Sequence, residues 1–213
     1  RNNAVYNFQD IIAVSSGMKL VKSEARTAAA SPANVLITGE SGTGKELFAQ
    51  AIHNASPRFA GPFVPISCGG FSRETVDSIL IGTEKNPGKF IQADGGTLFL
   101  DGISEMSQDM QSFLLRFLED GIVTPIGSRR SVQTDVRVIS AAGSEVLQKV
   151  KDGSFRLDLY YRLNVLRIDL PPLRERQADM QELSNYFVTL LSAGYGKNIF
   201  SVSAETVERF KAN

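Results

Sequence analysis

The chain has 213 residues, 42% of them hydrophobic and 22% charged, which suits one large folded domain, or one domain and part of a second, and excludes global disorder. Lys and Arg number 23, as do Asp and Glu, so the formal net charge is zero and bulk attraction to nucleic acid is excluded as the main activity. No apolar run approaches about 18 residues, so no membrane span is expected. The single cysteine, Cys68, forbids an intrachain disulfide, and with the single histidine, His53, it cannot build a structural zinc site. A reducing, cytoplasmic compartment is the expectation. The start at Arg1, with neither Met nor an apolar leader, suggests a piece of a longer protein.

Taken in chain order, apolar strands alternate with helical stretches, the pattern of βαβ units and a mainly parallel sheet. Residues 18–30 read as a helix stopped by Ser31-Pro32, and 33–38 as a buried strand. A Gly-rich turn and a helix over 44–55 follow. Strands are expected at 63–67, 97–101, 136–140 and 165–170, the last stopped by Pro171-Pro172. Helices are expected at 73–81, 108–119 and 177–191, with a hairpin from 122–126 and 131–134 around Gly127. Residues 195–200 read as a linker, and 203–211 as a further helix. The elements divide into an α/β domain over 1–195 and, over 196–213, a linker and the first helix of a truncated further unit.

Gly39, Glu40, Ser41, Gly42, Thr43, Gly44, Lys45 and Glu46 fit the G-x-x-x-x-G-K loop between a strand and a helix. The glycines let backbone N–H groups turn inward around phosphate oxygens, the following helix aims its positive end at the same anion, and Lys45 adds a point charge. The plainer reading is a Gly-rich turn with an exposed Lys. Glu46 stands where other such loops carry a Mg²⁺-contacting hydroxyl. Asp101 ends an apolar strand and is the expected Mg²⁺ residue, acting through water, against the plainer reading of an N-cap. Gly102 follows it and cannot polarise water. Glu105 is read as a solvated helix-start residue.

These motifs together resemble the central AAA+ domain of NtrC-type bacterial enhancer-binding proteins, the sigma-54 activators. The resemblance is carried by Gly39 to Glu46, Gly61-Pro-Phe-Val64, Gly95-Gly-Thr-Leu-Phe-Leu-Asp101, Phe155-Arg156 through Asp158-Leu-Tyr-Tyr-Arg-Leu-Asn-Val165, and Leu170-Pro-Pro-Leu-Arg-Glu-Arg176. It covers Phe8 to the last residue. It implies a P-loop α/β fold with a five-stranded mainly parallel sheet between helices, ATP or ADP with Mg²⁺ as cofactors, and ring or dimer self-assembly with nucleotide between subunits. It also implies RNA polymerase as a partner, and DNA through a domain absent from this chain. By the same resemblance Arg156 and Arg162 stand where arginines reach a neighbour's γ-phosphate, and Ile11 and Ile12 where the adenine pocket is lined. Surface or ion-paired arginines and core packing are the plainer alternatives.

The departures form a set. The family's GAFTGA loop, which contacts sigma-54, should lie between Lys85 and Pro87, where this sequence closes directly. Gly102 replaces the Glu after the acidic strand end, Ser67 the Asn that pairs with it, and Gly143 the sensor Asn. Binding parts are kept while hydrolytic parts are altered. The expected function is an ATP-binding regulatory module with weak or absent hydrolysis. In lacking the loop it is similar to a branch that includes the tyrosine-responsive regulator of aromatic amino-acid genes and works with the housekeeping polymerase. The alternative is a working ATPase that remodels sigma-54 polymerase; a kinase would need an acceptor-site motif, and none is visible. Cys68 is expected to be a packed apolar residue, His53 a helix-face residue, and Arg129-Arg130 a solvated turn.

Overall fold

The structure, a computed structural model, describes residues 2–69, 76–197, 199 and 201–211. In chain order the elements are α1 (Ser16–Ala30), β1 (Val35–Thr38), α2 (Lys45–Asn54), β2 (Phe63–Ser67), a π-helical turn (Val76–Ile81), α3 (Lys89–Gln92), β3 (Thr97–Asp101), α4 (Gln108–Asp120), β4 (Ile122–Val123), β5 (Val132–Gln133), β6 (Arg137–Ala142), α5 (Val146–Lys151), α6 (Leu157–Leu163), β7 (Leu166–Asp169), α7 (Met180–Gly194) and α8 (Ala204–Lys211). Five strands form one sheet in the order β2-β3-β6-β1-β7. All four pairings are parallel.

The sheet is buried on both faces, which is why its strands are near-continuous apolar runs in the sequence. Val35, Ile37, Phe63, Phe99 and Ile139 point to one side and pack with Val21, Ala25, Phe48 and Ile52 of α1 and α2. Leu36, Val64, Leu98, Leu100 and Val138 point to the other, against Met110, Leu114 and Phe117 of α4 and Leu159 and Leu163 of α6. The spacing of Met110, Leu114 and Phe117 puts all three on one helical face. Each of these two long helices starts on a serine: the Ser15 hydroxyl accepts from the Met18 N–H, and that of Ser107 from the Met110 N–H.

Several boundaries differ from the sequence reading. The fourth strand of the sheet runs two residues further, to Ala142, because it stays paired with β1 up to Thr38. The first helix begins at Ser16, where the Ser15 cap sets the start, not at 18. The segment expected as a helix from 177 is a 3₁₀ turn (Gln177–Asp179) followed by α7. Of the helix expected at 73–81, residues 73–75 lie outside the described residues and the rest is the π-helical turn. α7 extends beyond the expected 191 to Gly194, just before the expected linker, in which residues 198 and 200 lie outside the described residues. The hairpin is present as a two-residue antiparallel pair, Ile122 with Gln133 and Val123 with Val132. Helices α3, α5 and α6, of four to seven residues, were missed, being too short for a periodic signal. The segment after the π-helical turn crosses in a closed bend: Gly82 pairs antiparallel with Pro87, and the Thr83 N–H donates to the Asn86 carbonyl at 2.9 Å.

Two buried polar side chains tie α1 to the rest. Asp179 is fully buried and accepts from the Val14 and Ser15 N–H groups at 2.6 and 2.7 Å, holding the start of α1 to the segment before α7. At the other end Arg137 of β6 donates to the carbonyls of Ala28, Ala29 and Ala33 at 2.7, 3.2 and 3.2 Å. The Ala28 carbonyl also accepts the capping Ser31 N–H at 3.1 Å, while those of Ala29 and Ala33 are carbonyls at and beyond a helix C-terminus that the helix itself does not pair, where a cation also meets the helix dipole. Arg137→Leu is expected to leave the Ala29 and Ala33 carbonyls without their donor and lower unfolding free energy by about 2–4 kcal/mol, read by chemical denaturation.

His53 on α2 is fully buried, with Nδ1 2.8 Å from Thr97 Oγ1, so it is a core residue more than a helix-face one. Burial, with the charge of Arg137 in the same direction, pushes it down to about 4, outweighing a backbone contact at Gly61. The unfolded chain takes this proton first as pH falls. Stability is therefore complete above about pH 6.5 and is lost down to about pH 4, by roughly 2–3 kcal/mol. His53→Gln is expected to flatten that part of the stability–pH curve, measured by denaturant titration across the window.

Candidate functional site

Five parallel strands carry their following loops to one edge of the sheet. Gly39 to Gly44 follows β1, Ser67 to Gly69 follows β2, Gly102 follows β3, Gly143 follows β6, and Leu170 to Pro172 follows β7. Residues far apart in sequence therefore meet here.

The Gly39–Gly44 loop is held by few of its own bonds. The Gly39 N–H donates to the Ala142 carbonyl, the Thr43 N–H and hydroxyl both donate to the Glu40 carbonyl, and Gly44 accepts from Phe48 as the first bond of α2. Among the described bonds, the N–H groups of Ser41, Gly42, Gly44 and Lys45 have no protein acceptor. Gly42 and Gly44 have φ of 78° and 100°, the left-handed backbone that glycine adopts readily and that anion-binding nests use. Lys45 Nζ folds over the loop and donates to the Gly39 and Glu40 carbonyls, both at 2.8 Å. Glu46 is held along α2 by Gln50 Nε2 at 3.1 Å.

Ser41, Gly42 and Gly44 line a cavity on either side of the loop. The larger, about 700 Å³, is mostly apolar and is walled by Ile11, Ile12, Leu47, Phe48, Leu183 and Phe187. The other, about 460 Å³, is polar and brings Lys45 and Glu46 together with Ser67, Asp101, Glu105 and Gly143. Asp101 is half-buried at the end of β3, in register with Ser67 and Ala141. Among the described residues, no group of three His, Cys, Asp or Glu is placed to hold a metal by itself. Asp101 beside the loop fits the other arrangement, in which Mg²⁺ takes one carboxylate and completes its shell from ligand oxygens and water.

Two carboxylates at this edge were not assigned from sequence. Glu105 does not start a helix; it ends a 3₁₀ turn (Ile103–Glu105) that folds back from Gly102, whose φ is 72°. Its carboxylate lies against Gly69, within 2.1 Å of where a Cβ there would be, and 4.0 Å from the corresponding point at Gly102. Glu145 covers Gly143, with Oε2 at 2.0 Å from a Cβ built there. Burial pushes the Glu145 carboxyl up, but the N–H groups of Glu145 and Gly143 and the charge of Lys149 outweigh it and hold it below its ordinary range. The glycines at 69 and 143 thus leave room that the carboxylates of Glu105 and Glu145 occupy. Burial, helped by Asp101 and Glu105, pushes the Cys68 thiol far above its ordinary range, as suits a packed residue.

The segment after β7 closes the loop from the other side. Arg176, 8% exposed, donates from Nη2 to the Thr43 carbonyl at 3.3 Å, and Arg174 forms a bidentate pair with Glu40. Both arginines belong to a quoted motif, but nothing in the sequence gave them this role. Arg156 and Arg162 are not among the residues lining the two cavities. Arg156 pairs with Asp158 at 2.7 Å and Arg162 with Glu119 at 3.4 Å. Arg162 borders a groove with Asn34 and Val165, which precede β1 and β7, so it lies at the sheet edge opposite the loop.

The family model described as the Sigma-54 interaction domain matches residues 11–169. The chain is 46% identical over 206 residues to a signal-transduction and transcriptional-control protein of Clostridium beijerinckii, covering 92% of this chain and 33% of that protein. It is 49% identical over 183 residues to the HTH-type transcriptional regulatory protein TyrR of Citrobacter braakii, covering 85% and 36%. The crystal structure of NtrX from Brucella abortus in complex with ADP superimposes with a TM-score of 0.90 at 31% identity, over 95% of this chain and 47% of that one. A second NtrX structure, in complex with ATP, gives 0.89. The chain thus spans about a third of the length of these two curated relatives. A parallel P-loop sheet of this topology and a family match across residues 11–169 lead to one assignment: the chain belongs to the sigma-54 interaction domain family of AAA+ domains.

Proposed function

We propose that this domain binds ATP or ADP and serves as a nucleotide-responsive regulatory module of a bacterial transcriptional regulator, with weak or absent hydrolysis. The observation that carries the reading is the loop itself. Four N–H groups without protein acceptors among the described bonds and the Lys45 ammonium belong to one loop leading into α2, beside an apolar cavity of about 700 Å³. That is an anion site joined to a base-sized apolar one. The ADP and ATP complexes of NtrX support it. In this reading Ile11 and Ile12 flank the base, Gly39 to Glu46 cradle the phosphates, and Asp101 holds Mg²⁺ through water. Mg²⁺ would supply charge neutralisation between the phosphates.

Weak hydrolysis follows from residue chemistry. Gly102 and Gly143 offer no side chain to orient water or sense a γ-phosphate, and Ser67 is shorter than the Asn it replaces. Residues 196–213 are read as a linker and the first helix of a lid. Self-association would bring Arg156 and Arg162 of one copy to the nucleotide of the next, since neither reaches its own. RNA polymerase, and DNA through a separate domain, are the proposed partners, in the cytoplasm. One observation favours the second reading, a working ATPase acting on sigma-54 polymerase: the Glu105 carboxylate lies about 4.0 Å from where a side chain at Gly102 would begin.

Turnover measured beside affinity separates the two. The module reading expects micromolar ATP binding with negligible phosphate release, and Lys45→Ala is expected to weaken binding by about 10- to 100-fold. Turnover near one per second, typical of a working enzyme, abolished by Lys45→Ala, would overturn it. Arg156→Ala is expected to weaken nucleotide-dependent self-association by about tenfold without changing nucleotide affinity of the monomer, read by light scattering. Unchanged assembly would remove the inter-subunit role.

A further inference from the structure

Glu40 puts a carboxylate into the very loop that is read as a phosphate cradle. A negative charge there opposes a polyphosphate ligand. The structure does not leave that charge bare. Arg174 Nη1 donates to Glu40 Oε2 at 2.8 Å and Nη2 to Oε1 at 2.6 Å, a fork-to-fork pair. The guanidinium holds the Glu40 carboxyl below its ordinary range. The partners are 134 residues apart in sequence, so only the fold brings them together.

The pair contributes little to stability. Its side chains are 65% and 49% exposed, and exposed ion pairs are worth about 0–1 kcal/mol. The neighbouring charges are engaged elsewhere. Lys45 binds backbone carbonyls of Gly39 and Glu40, Arg176 the Thr43 carbonyl, and Arg167 is closed on Asp169 at 2.8 Å. Glu175, next to Arg174, adds a further negative charge. Among the described residues, Arg174 is therefore the one cation on the Glu40 side chain.

We infer that Arg174 is a positioning residue for the anion site: it neutralises Glu40 and keeps that carboxylate off the loop's open N–H groups, so that the loop accepts phosphate. This rests on the nucleotide-binding reading above. Freed from Arg174, the Glu40 carboxylate both repels the phosphates and competes with them for the same donors. The effect acts through charge, so it must scale with the charge of the ligand, and it must vanish when Glu40 is made neutral.

The experiment is a calorimetric double-mutant cycle on the whole chain, with ATP, ADP and adenosine as ligands. Arg174→Ala is expected to weaken ATP about tenfold, ADP less, and adenosine not at all. Adding Glu40→Gln to Arg174→Ala is expected to restore ATP affinity to within about twofold of the parent, and Arg174→Lys to retain part of it. An unchanged ATP affinity in Arg174→Ala overturns the inference. So does a loss that persists in the double variant, which would place Arg174 directly on the nucleotide, or a loss equal for adenosine, which would make its role structural. Parent protein that fails to bind ATP, or Lys45→Ala that binds as well as the parent, removes the nucleotide reading and this inference together. Parent binding that is lost in Lys45→Ala but intact in Arg174→Ala removes this inference alone.

Discussion

The interaction on which the rest depends is the parallel pairing of β1 with β6 and β7. Thr38 lies level with Ala142 and Asp169, so the loop that leaves β1 emerges between two other strand ends. The Gly39 N–H is taken by Ala142, and among the described bonds the N–H groups of Ser41, Gly42, Gly44 and Lys45 have no protein acceptor. A buried backbone normally cannot leave donors unpaired. This edge can, because it is solvent-facing and the glycines at 42 and 44 accept the left-handed backbone that arranges them. Every other candidate residue is placed relative to that point by the register of its own strand.

Charge is the second theme. The two cavities at the loop hold Lys45, Arg174 and Arg176 against Asp10, Glu40, Glu46, Asp101, Glu105 and Glu145. An anion site so rich in carboxylates works only if most of them are neutralised or committed to a cation. Glu40 is neutralised by Arg174, Glu46 is hydrogen-bonded along its helix, and Glu145 is tied to backbone N–H groups. Asp101 and Glu105 remain facing the polar cavity, where a divalent cation accompanying the ligand would find them. The glycines at 102 and 143 therefore do more than delete side chains. Gly143 leaves the room that Glu145 occupies, and Gly69 the room that Glu105 occupies, with its carboxylate about 4.0 Å from where a side chain at Gly102 would begin, which changes the kind of group offered to the ligand.

Much of this was legible in the sequence. The five strands were found because both-face burial writes them as apolar runs, and the loop because Gly39-Glu-Ser-Gly-Thr-Gly-Lys45 has a spacing that only one backbone shape satisfies. The short helices α5 and α6 were not, since one or two turns carry no periodicity, and their position is set by packing on the sheet. Contacts across long separations were equally silent. Nothing local to Arg174 names Glu40, nothing local to Arg137 names the end of α1, and nothing local to Asp179 names its start. Glu105 is exposed, in keeping with its reading as a solvated residue, but it ends a 3₁₀ turn and does not start a helix; the turn that returns it to Gly69 depends on the backbone at Gly102, which sequence alone leaves open.

The account's central claim is that the open N–H groups of the β1–α2 loop receive phosphate. The most direct measurement is an ¹H–¹⁵N correlation spectrum of the folded domain as ADP and Mg²⁺ are added. The result expected is a large downfield shift of the Gly42, Gly44 and Lys45 amides, with smaller changes at Ile11 and Ile12 from the base. Amides of the loop that stay unmoved at millimolar ADP, in protein whose remaining spectrum is that of a folded domain, would contradict it.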